Sequence, residues 1–179
     1  MADEGLSGRL IVATPLIGDP NFERTVILVL AHDDSGAFGV VLNRPSATGA
    51  EELLPEWSAV AAEPDVVFVG GPVGRNAVLG VVEHPERAGV DRFETVDLNR
   101  SPWDRADDPG AVRLFAGSAG WGVGQLEEEL ADRAWWVVEA EAGDVITAEP
   151  EQLWRTVLRR QPGVVGWHAN WPAEGPLAN

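Results

Sequence analysis

The sequence predicts an α+β fold: one domain built on a mixed β-sheet flanked by helices, with a three-layer α/β arrangement as the alternative. Three observations carry this. About seven short apolar runs are separated by turn clusters, two stretches have helical periodicity, and one pair of runs is spaced as a hairpin. A chain of 179 residues with 45% apolar content fills one core of ordinary size. Residues 8–161 are expected to form the domain, residues 1–7 a flexible N-terminus, and residues 162–179, broken by Pro162, Pro172 and Pro176, an irregular tail.

Arg9-Leu10-Ile11-Val12-Ala13 reads as the first strand, stopped by Thr14-Pro15. Residues 25–30 are apolar, β-branched and too short a run for a typical helix, so both look like buried strands. Asp33-Asp34-Ser35-Gly36 is a turn cluster before Phe38-Gly39-Val40-Val41-Leu42, which predicts a hairpin with a four-residue connection. Pro45 of Asn43-Arg44-Pro45 is expected to end that strand. Residues 49–57 give a short helical piece at best. Val66-Val67-Phe68-Val69 is a buried strand running into Gly70-Gly71-Pro72-Val73, followed by strands at residues 78–83 and 92–98. Residues 99–110, rich in Asp, Arg, Pro and Gly, read as an exposed loop. Residues 112–136 then combine a strand, a turn with Gly117, Gly120, Gly122 and Gly124, and an acidic helix with Leu126 and Leu130 on one face. A strand follows at residues 135–139. Residues 150–160 form the clearest helix: Leu153, Trp154, Val157 and Leu158 share a face, with Glu149 and Glu151 at the positive end and Arg159 and Arg160 at the negative end.

The chain has no cysteine, which excludes disulfides, thiolate catalysis and cysteine-bound zinc. Its first residues lack a basic segment followed by an apolar one, and its longest apolar run is six residues, so neither secretion nor a membrane span is expected and the cytoplasm is the default. Net charge is −16, from 29 acids against 13 bases, every base being Arg. Such a surface is poorly suited to the phosphate contacts that drive nucleic-acid binding, and it favours basic proteins or cationic ligands. Residues 124–151 hold nine acids and one base, Arg133, which reads as a solvated face or a docking face for a basic partner.

Several segments carry chemistry-bearing residue types. Ala116-Gly117-Ser118-Ala119-Gly120 is a nucleophile-elbow pattern with Ala replacing its first Gly, and Asp132 or Asp144 followed by His168 completes a Ser, Asp, His order. The plain reading is a glycine turn. The same turn lacks the Lys-Ser/Thr of a phosphate loop, and Glu127, Glu128 and Glu129 repel anions. His32-Asp33-Asp34 contains metal-ligand types at a turn, but His84 and His168 have no partner at diagnostic spacing, so neither a metal nor a cofactor is expected. Asp19, Arg24 and Asn43 gather at one end of the predicted sheet, as a structural Asp19–Arg24 ion pair or as a polar ligand pocket. Of eight tryptophans, Trp135, Trp136 and Trp154 read as core, and Trp167 with Trp171 as a half-exposed contact element.

Three segments taken in order carry a resemblance. Pro15-Leu16-Ile17-Gly18-Asp19-Pro20-Asn21-Phe22-Glu23-Arg24-Thr25-Val26, continuing through His32 and Gly39 to Asn43-Arg44-Pro45, resembles the N-terminal signature of the YqgE/AlgH family. Gly70-Gly71-Pro72-Val73 resembles its second block, and Gly117-Ser118-Ala119-Gly120-Trp121 with Gly124-Gln125-Leu126-Glu127 and Trp135 its third. The resemblance implies a mixed-sheet α+β fold in a largely uncharacterised bacterial family, some members of which are called transcriptional regulators. The family commonly has Tyr where this chain has Ser118, and the tail past Gln161 departs from much of it.

The resulting expectation is a non-enzymatic cytoplasmic binding or regulatory protein, acting on transcription only indirectly and without direct nucleic-acid contact. Its unknown protein partner or small polar ligand is held between the hairpin and the glycine turn. The candidate contact residues are Asp19, Arg24, His32, Asn43 and Arg44 from the first segment, Gly71 and Pro72 from the second, and Gly120, Trp121, Gly124 and Gln125 from the third. The alternative is a small serine hydrolase using Ser118.

Overall fold

A strand that is apolar at every position must be covered on both faces. Leu10–Ala13 (β1) is buried at all four positions, and Val26–Asp33 (β2) at its first four. The computed structural model, which describes residues 5–105 and 110–171, supplies that cover. The remaining strands are β3 (Gly36–Val41), β4 (Pro45–Gly49), β5 (Val66–Val69), β6 (Val73–Glu83), β7 (Phe93–Val96), β8 (Val112–Trp121) and β9 (Trp135–Val138). The helices are α1 (Ala50–Leu53), α2 (Pro55–Ser58), α3 (Gln125–Ala131), α4 (Leu153–Arg159) and α5 (Gly163–Trp167).

The nine strands form one sheet in the order β4-β5-β8-β3-β2-β1-β9, with β6 on the other side of β8 and β7 beyond it. The β5–β8 pairing is parallel and the other strand pairings are antiparallel, which makes the sheet mixed, as expected. Strand β8 holds the two halves together. Leu114, Phe115 and Ala116 pair with β5, whereas Ala119, Gly120 and Trp121 pair with β3. Gly117 lies between these groups at φ 78, where glycine is at ease and other residues are strained.

The sheet curls until its ends meet. Phe93 shares a core cluster with Leu10 and Val138. The Arg92 guanidinium donates to the Ala140 carbonyl at 3.0 Å, and the Gly143 N–H to Glu83 at 3.0 Å. Inside the curl, α4 contributes Leu153, Trp154, Val157 and Leu158 to the largest cluster. One outer face packs Ile11, Ile27, Val41, Trp121 and Trp135 against Leu126 of α3. Another packs Val67, Val112 and Leu114 against Ala50 of α1 and Trp57 of α2. These three clusters explain why the strands read as near-continuous apolar runs.

Arg113, 1% exposed, is the largest of the few polar or charged side chains buried among the described residues. Its guanidinium donates to the carbonyls of Val145 (3.0 Å), Ala62 (3.2 Å), Pro64 (3.2 Å), Glu63 (3.3 Å) and Thr147 (2.6 Å), and lies 4.3 Å from the Phe68 ring centroid. Burial pushes its pKa down to about 10. The side chain thus pins the loops before β5 and after β9 to the middle of β8.

Several expectations are corrected. The β2–β3 hairpin pairs Asp33 with Gly36, so its connection is the two residues Asp34 and Ser35, tightened by Asp33 Oδ1 accepting the Ser35 N–H at 2.7 Å. Pro45 begins edge strand β4 and does not simply end β3, because an edge strand tolerates its missing N–H. Strand β6 starts at Val73, since its first part pairs with Ser118 in a register shifted from the rest. The helix predicted over residues 150–160 begins as a 3-10 turn, Pro150–Gln152, before α4. The segment expected to be irregular carries α5 and a 3-10 turn, His168–Asn170, with Ala169 buried against the inner cluster. Glycine-rich Gly163-Val164-Val165-Gly166 has no helical period; of this turn Val165 packs against the inner cluster while Val164 stays exposed. Leu6, in the N-terminal segment, donates its N–H to His32 Nδ1 at 2.9 Å. Within the predicted loop 99–110, Pro102–Asp104 is a 3-10 turn, while residues 106–109 lie outside the described residues, as do residues 1–4 and 172–179.

Candidate functional site

The signature residues around the start of β2 hold the loop before it by hydrogen bonds to main chain. Asp19 opens a turn: its Oδ1 accepts the Asn21 N–H at 2.9 Å, and its carbonyl accepts from Phe22 and Glu23. Asn43 reaches back from the end of β3, accepting the Val26 N–H at 3.0 Å and donating to the Arg24 carbonyl at 2.9 Å. Arg44 donates to the carbonyls of Asn21 (2.8 Å) and Glu23 (3.0 Å). Between them they satisfy the backbone of a loop that has no strand partner.

The expected Asp19–Arg24 ion pair does not form. Arg24 sits at φ 56 and points the other way: its guanidinium lies 4.1 Å from the Trp154 ring centroid and donates to the Trp171 carbonyl at 3.0 Å. Burial, followed by the nearby charge of Arg155, holds its pKa below the usual arginine value. A double-mutant cycle of Asp19→Ala and Arg24→Ala, read by urea melts, is therefore expected to be additive within about 0.5 kcal/mol. A coupling energy above about 1 kcal/mol in that cycle would restore the ion pair.

About 20 Å away along β2, at the strand rise of 3.3 Å per residue, a second set of signature residues meets. His32 Nδ1 accepts the Leu6 N–H, which leaves Nε2 to donate to Glu127 Oε1. That hydrogen bond is the main cause holding the Glu127 carboxyl below its ordinary value. Trp121, at the end of β8, donates its indole N–H to Glu129 at 2.6 Å and packs edge-to-face on Trp135, whose ring meets Phe22 in turn. Gly124 at φ 72 leads into α3, and Gln125 Oε1 accepts the Gly122 N–H at 3.0 Å. The Phe22–Trp135–Trp121 ring ladder links the loop that carries Asp19 and Arg24 to this second set.

Gly71 and Pro72 belong to a backbone fork. The Gly70 N–H donates to Ala116 and its carbonyl accepts from Val41, both at 2.8 Å, so this link bridges β3 and β8. Gly71 is buried against the Ser118 carbonyl, and Pro72 is exposed. Ser118 lies inside β8, opposite Val73, and not on a strand-to-helix corner. Its proposed partners are engaged elsewhere. Asp144 takes Arg160 through two bonds of 2.8 and 2.9 Å, Asp132 closes α3, and His168 bonds the Val164 carbonyl and stacks on Trp171.

A shallow cavity of about 220 Å³ lies near these residues, between the β2–β3 hairpin and the end of β8. Ala31, Asp33, Ser35, Gly36, Ala37, Phe38 and Trp121 line it, and Trp121 alone was among the candidate residues. Phe38 is partly exposed because Gly120, opposite it in register, has no side chain to cover the ring. A second concavity, about 630 Å³, lies by Arg87, Val90, Asp91, Phe93 and Glu94. There Glu94 bonds His84 (2.6 Å) and Arg105 (2.9 and 3.0 Å). Burial acts to raise the Glu94 carboxyl, but those two hydrogen bonds prevail and hold it below its usual value. Nothing in the sequence flags either concavity, since their linings come together only across strands. No group of three or more His, Cys, Asp or Glu side chains is arranged to hold a metal among the described residues.

A family model described as AlgH-like matches residues 10–165. The chain belongs to the AlgH-like family. A UPF0301 protein of Streptomyces coelicolor is 49% identical over 183 aligned positions, covering 96% of this chain and 95% of that protein. One from Thermobifida fusca is 42% identical over 96% of this chain and 95% of its own length. Among solved structures, the crystal structure of the DIP2367 protein from Corynebacterium diphtheriae superposes with a TM-score of 0.84 at 29% identity, covering 94% of each chain. The solution structure of the AlgH protein from Pseudomonas aeruginosa gives 0.61 at 26% identity, over 84% of this chain and 86% of that one. This chain thus shares its α+β fold with these two solved structures. No helix among the described residues is long and apolar enough to cross a membrane.

Proposed function

We propose that this AlgH-like chain is a non-enzymatic, cytoplasmic binding protein that acts through a protein or small polar ligand, and that any effect on transcription passes through that partner. One observation carries the reading. The chemistry-bearing side chains of the signature segments are engaged internally: Arg24, Asn43 and Arg44 with main chain, His32 with Leu6 and Glu127, Trp121 with Glu129. The cavity beside them is small and combines an apolar side, Ala31, Ala37 and Phe38, with the polar Asp33 and Ser35 of the hairpin turn, a lining that suits recognition of a ligand or partner. The charge of −16 supports indirect over direct action on nucleic acid.

Labelling of the purified protein with a fluorophosphonate tests this against the serine-hydrolase alternative. The expected result is no modification of Ser118 above that of surface serines. Stoichiometric labelling at Ser118, lost in Ser118→Ala, would overturn the non-enzymatic reading.

A further inference from the structure

The cavity at the tip of the β2–β3 hairpin sets a carboxylate beside an uncovered aromatic ring. Antiparallel partners share a face of the sheet, and neighbours along a strand alternate between faces. Ala31 pairs with Phe38 and Phe38 with Gly120, so these three lie on one face, the one that Val40 and Leu42 present to the inner cluster. Asp33, two residues beyond Ala31, lies there too. His32 between them turns to the opposite face, where Glu127 takes its Nε2. Phe38 lies beyond the inner cluster and is 38% exposed. A Cβ added at Gly120 meets nothing within 4 Å, so β8 brings no side chain over the ring from that position.

Among the described residues that line the cavity, Asp33 is the one that ionises, and no base lies with it. The Ser35 hydroxyl, and after it the Ser35 N–H, donate to Asp33 Oδ1 and hold its carboxyl below the ordinary value. The group is therefore an anion at neutral pH. Asp34 is exposed next to it, and Glu127 and Glu128 are exposed on α3, which His32 ties to this hairpin.

These features select the occupant. A guanidinium bonds a carboxylate through its edge and stacks on an aromatic ring through its weakly hydrated face, which a compact ammonium does less well. Size selects the source. At about 220 Å³ the cavity falls below the roughly 300–1,000 Å³ of pockets that enclose a free small ligand, so it takes a head group and leaves the stem outside. Further contact must come from the acidic surface of Asp34, Glu127 and Glu128, whose complement is a run of basic residues. Resting on the reading of this chain as a binding protein, we propose that the cavity receives an arginine side chain from a basic segment of a protein partner, its guanidinium bonded to Asp33 and stacked on Phe38.

The probe is a short glycine–lysine peptide with one central arginine, titrated into the full chain and followed by backbone amide shifts. Shifts are expected in the hairpin tip and at the end of β8. Replacing the arginine by citrulline, its neutral isostere, should weaken binding about tenfold, and replacing it by lysine about threefold. Asp33→Asn, which can still accept the Ser35 N–H and keep the turn, should weaken binding about tenfold, and Phe38→Leu, apolar but without a ring, about threefold. Asp34→Asn removes the same charge outside the cavity and should change binding less than about twofold. The peptide should bind at least about tenfold tighter than acetyl-arginine amide, which lacks the flanking cations. Absence of binding, equal binding of the arginine and citrulline peptides, equal weakening by Asp33→Asn and Asp34→Asn, or acetyl-arginine amide binding as tightly as the peptide overturns the proposal. None of these outcomes labels Ser118, so failure of the arginine site is distinct from failure of the non-enzymatic reading.

Discussion

Arg113→Met is expected to destabilise the protein by about 3–5 kcal/mol, the loss seen when one partner of a buried charged network is removed. Replacing a buried charge by a hydrophobic side chain of similar volume is often harmless when its partner is replaced too. Here that is not possible. The partners are five main-chain carbonyls, of Ala62, Glu63, Pro64, Val145 and Thr147, and no substitution removes a carbonyl. Each buried acceptor left without a donor costs about 1–3 kcal/mol, less where water or small shifts relieve it. The depressed pKa, about 10, has the opposite sign: burial of the charge is a cost at neutral pH and is relieved only above that value. The carbonyl cage must exceed that cost for the side chain to be kept inside. Arg113→Lys has one donor group on a flexible stem and is expected to recover under half of the loss, because it cannot span two loops. Urea unfolding followed by tryptophan fluorescence measures all three proteins. A change below about 1 kcal/mol for Arg113→Met would mean that the cage is not a structural pin.

Gly71→Ala is expected to cost about 2–5 kcal/mol, from backbone strain and overpacking together. Gly71 sits at φ 151, and a Cβ there would lie 2.2 Å from both the carbonyl carbon and the oxygen of Ser118. Those atoms are strand backbone, so neither can rotate aside. Gly120, on the same strand β8, provides the contrast: a Cβ added there meets nothing within 4 Å. Gly120→Ala should therefore change stability by less than about 0.5 kcal/mol, like an ordinary surface substitution. Both glycines belong to the signature segments, and thermal melts of the two variants separate a glycine needed by the fold from one that leaves a surface open. Equal effects at the two positions would refute this division.

The separation between Gly71 and Gly120 shows what the linear sequence determines and where it stops. Apolar runs such as Leu10-Ile11-Val12-Ala13 and Val66-Val67-Phe68-Val69 report that a strand is covered on both faces, because side chains alternate every residue and both sets are apolar. The Leu153, Trp154, Val157, Leu158 spacing reports a helix packed by one face, and Asp33 to Gly36 reports a turn, since these depend on neighbours a few bonds away. The α+β class with a mixed sheet follows from those local facts, as does the absence of cysteine chemistry. The partners of the polar side chains do not follow. Asn43 reaches Arg24 across 19 positions, Arg113 reaches Val145 across 32 and Ala62 across 51, and Arg24 reaches Trp171 across 147. Asp19 and Arg24, five positions apart, suggest a pair and point in different directions. Hydrogen bonds at such separations are set by which strands lie side by side, and that order is chosen by the packing of three apolar clusters taken together. Only the tertiary structure therefore decided that the signature residues around the start of β2 hold the loop before it, and that Phe38 remains at the surface.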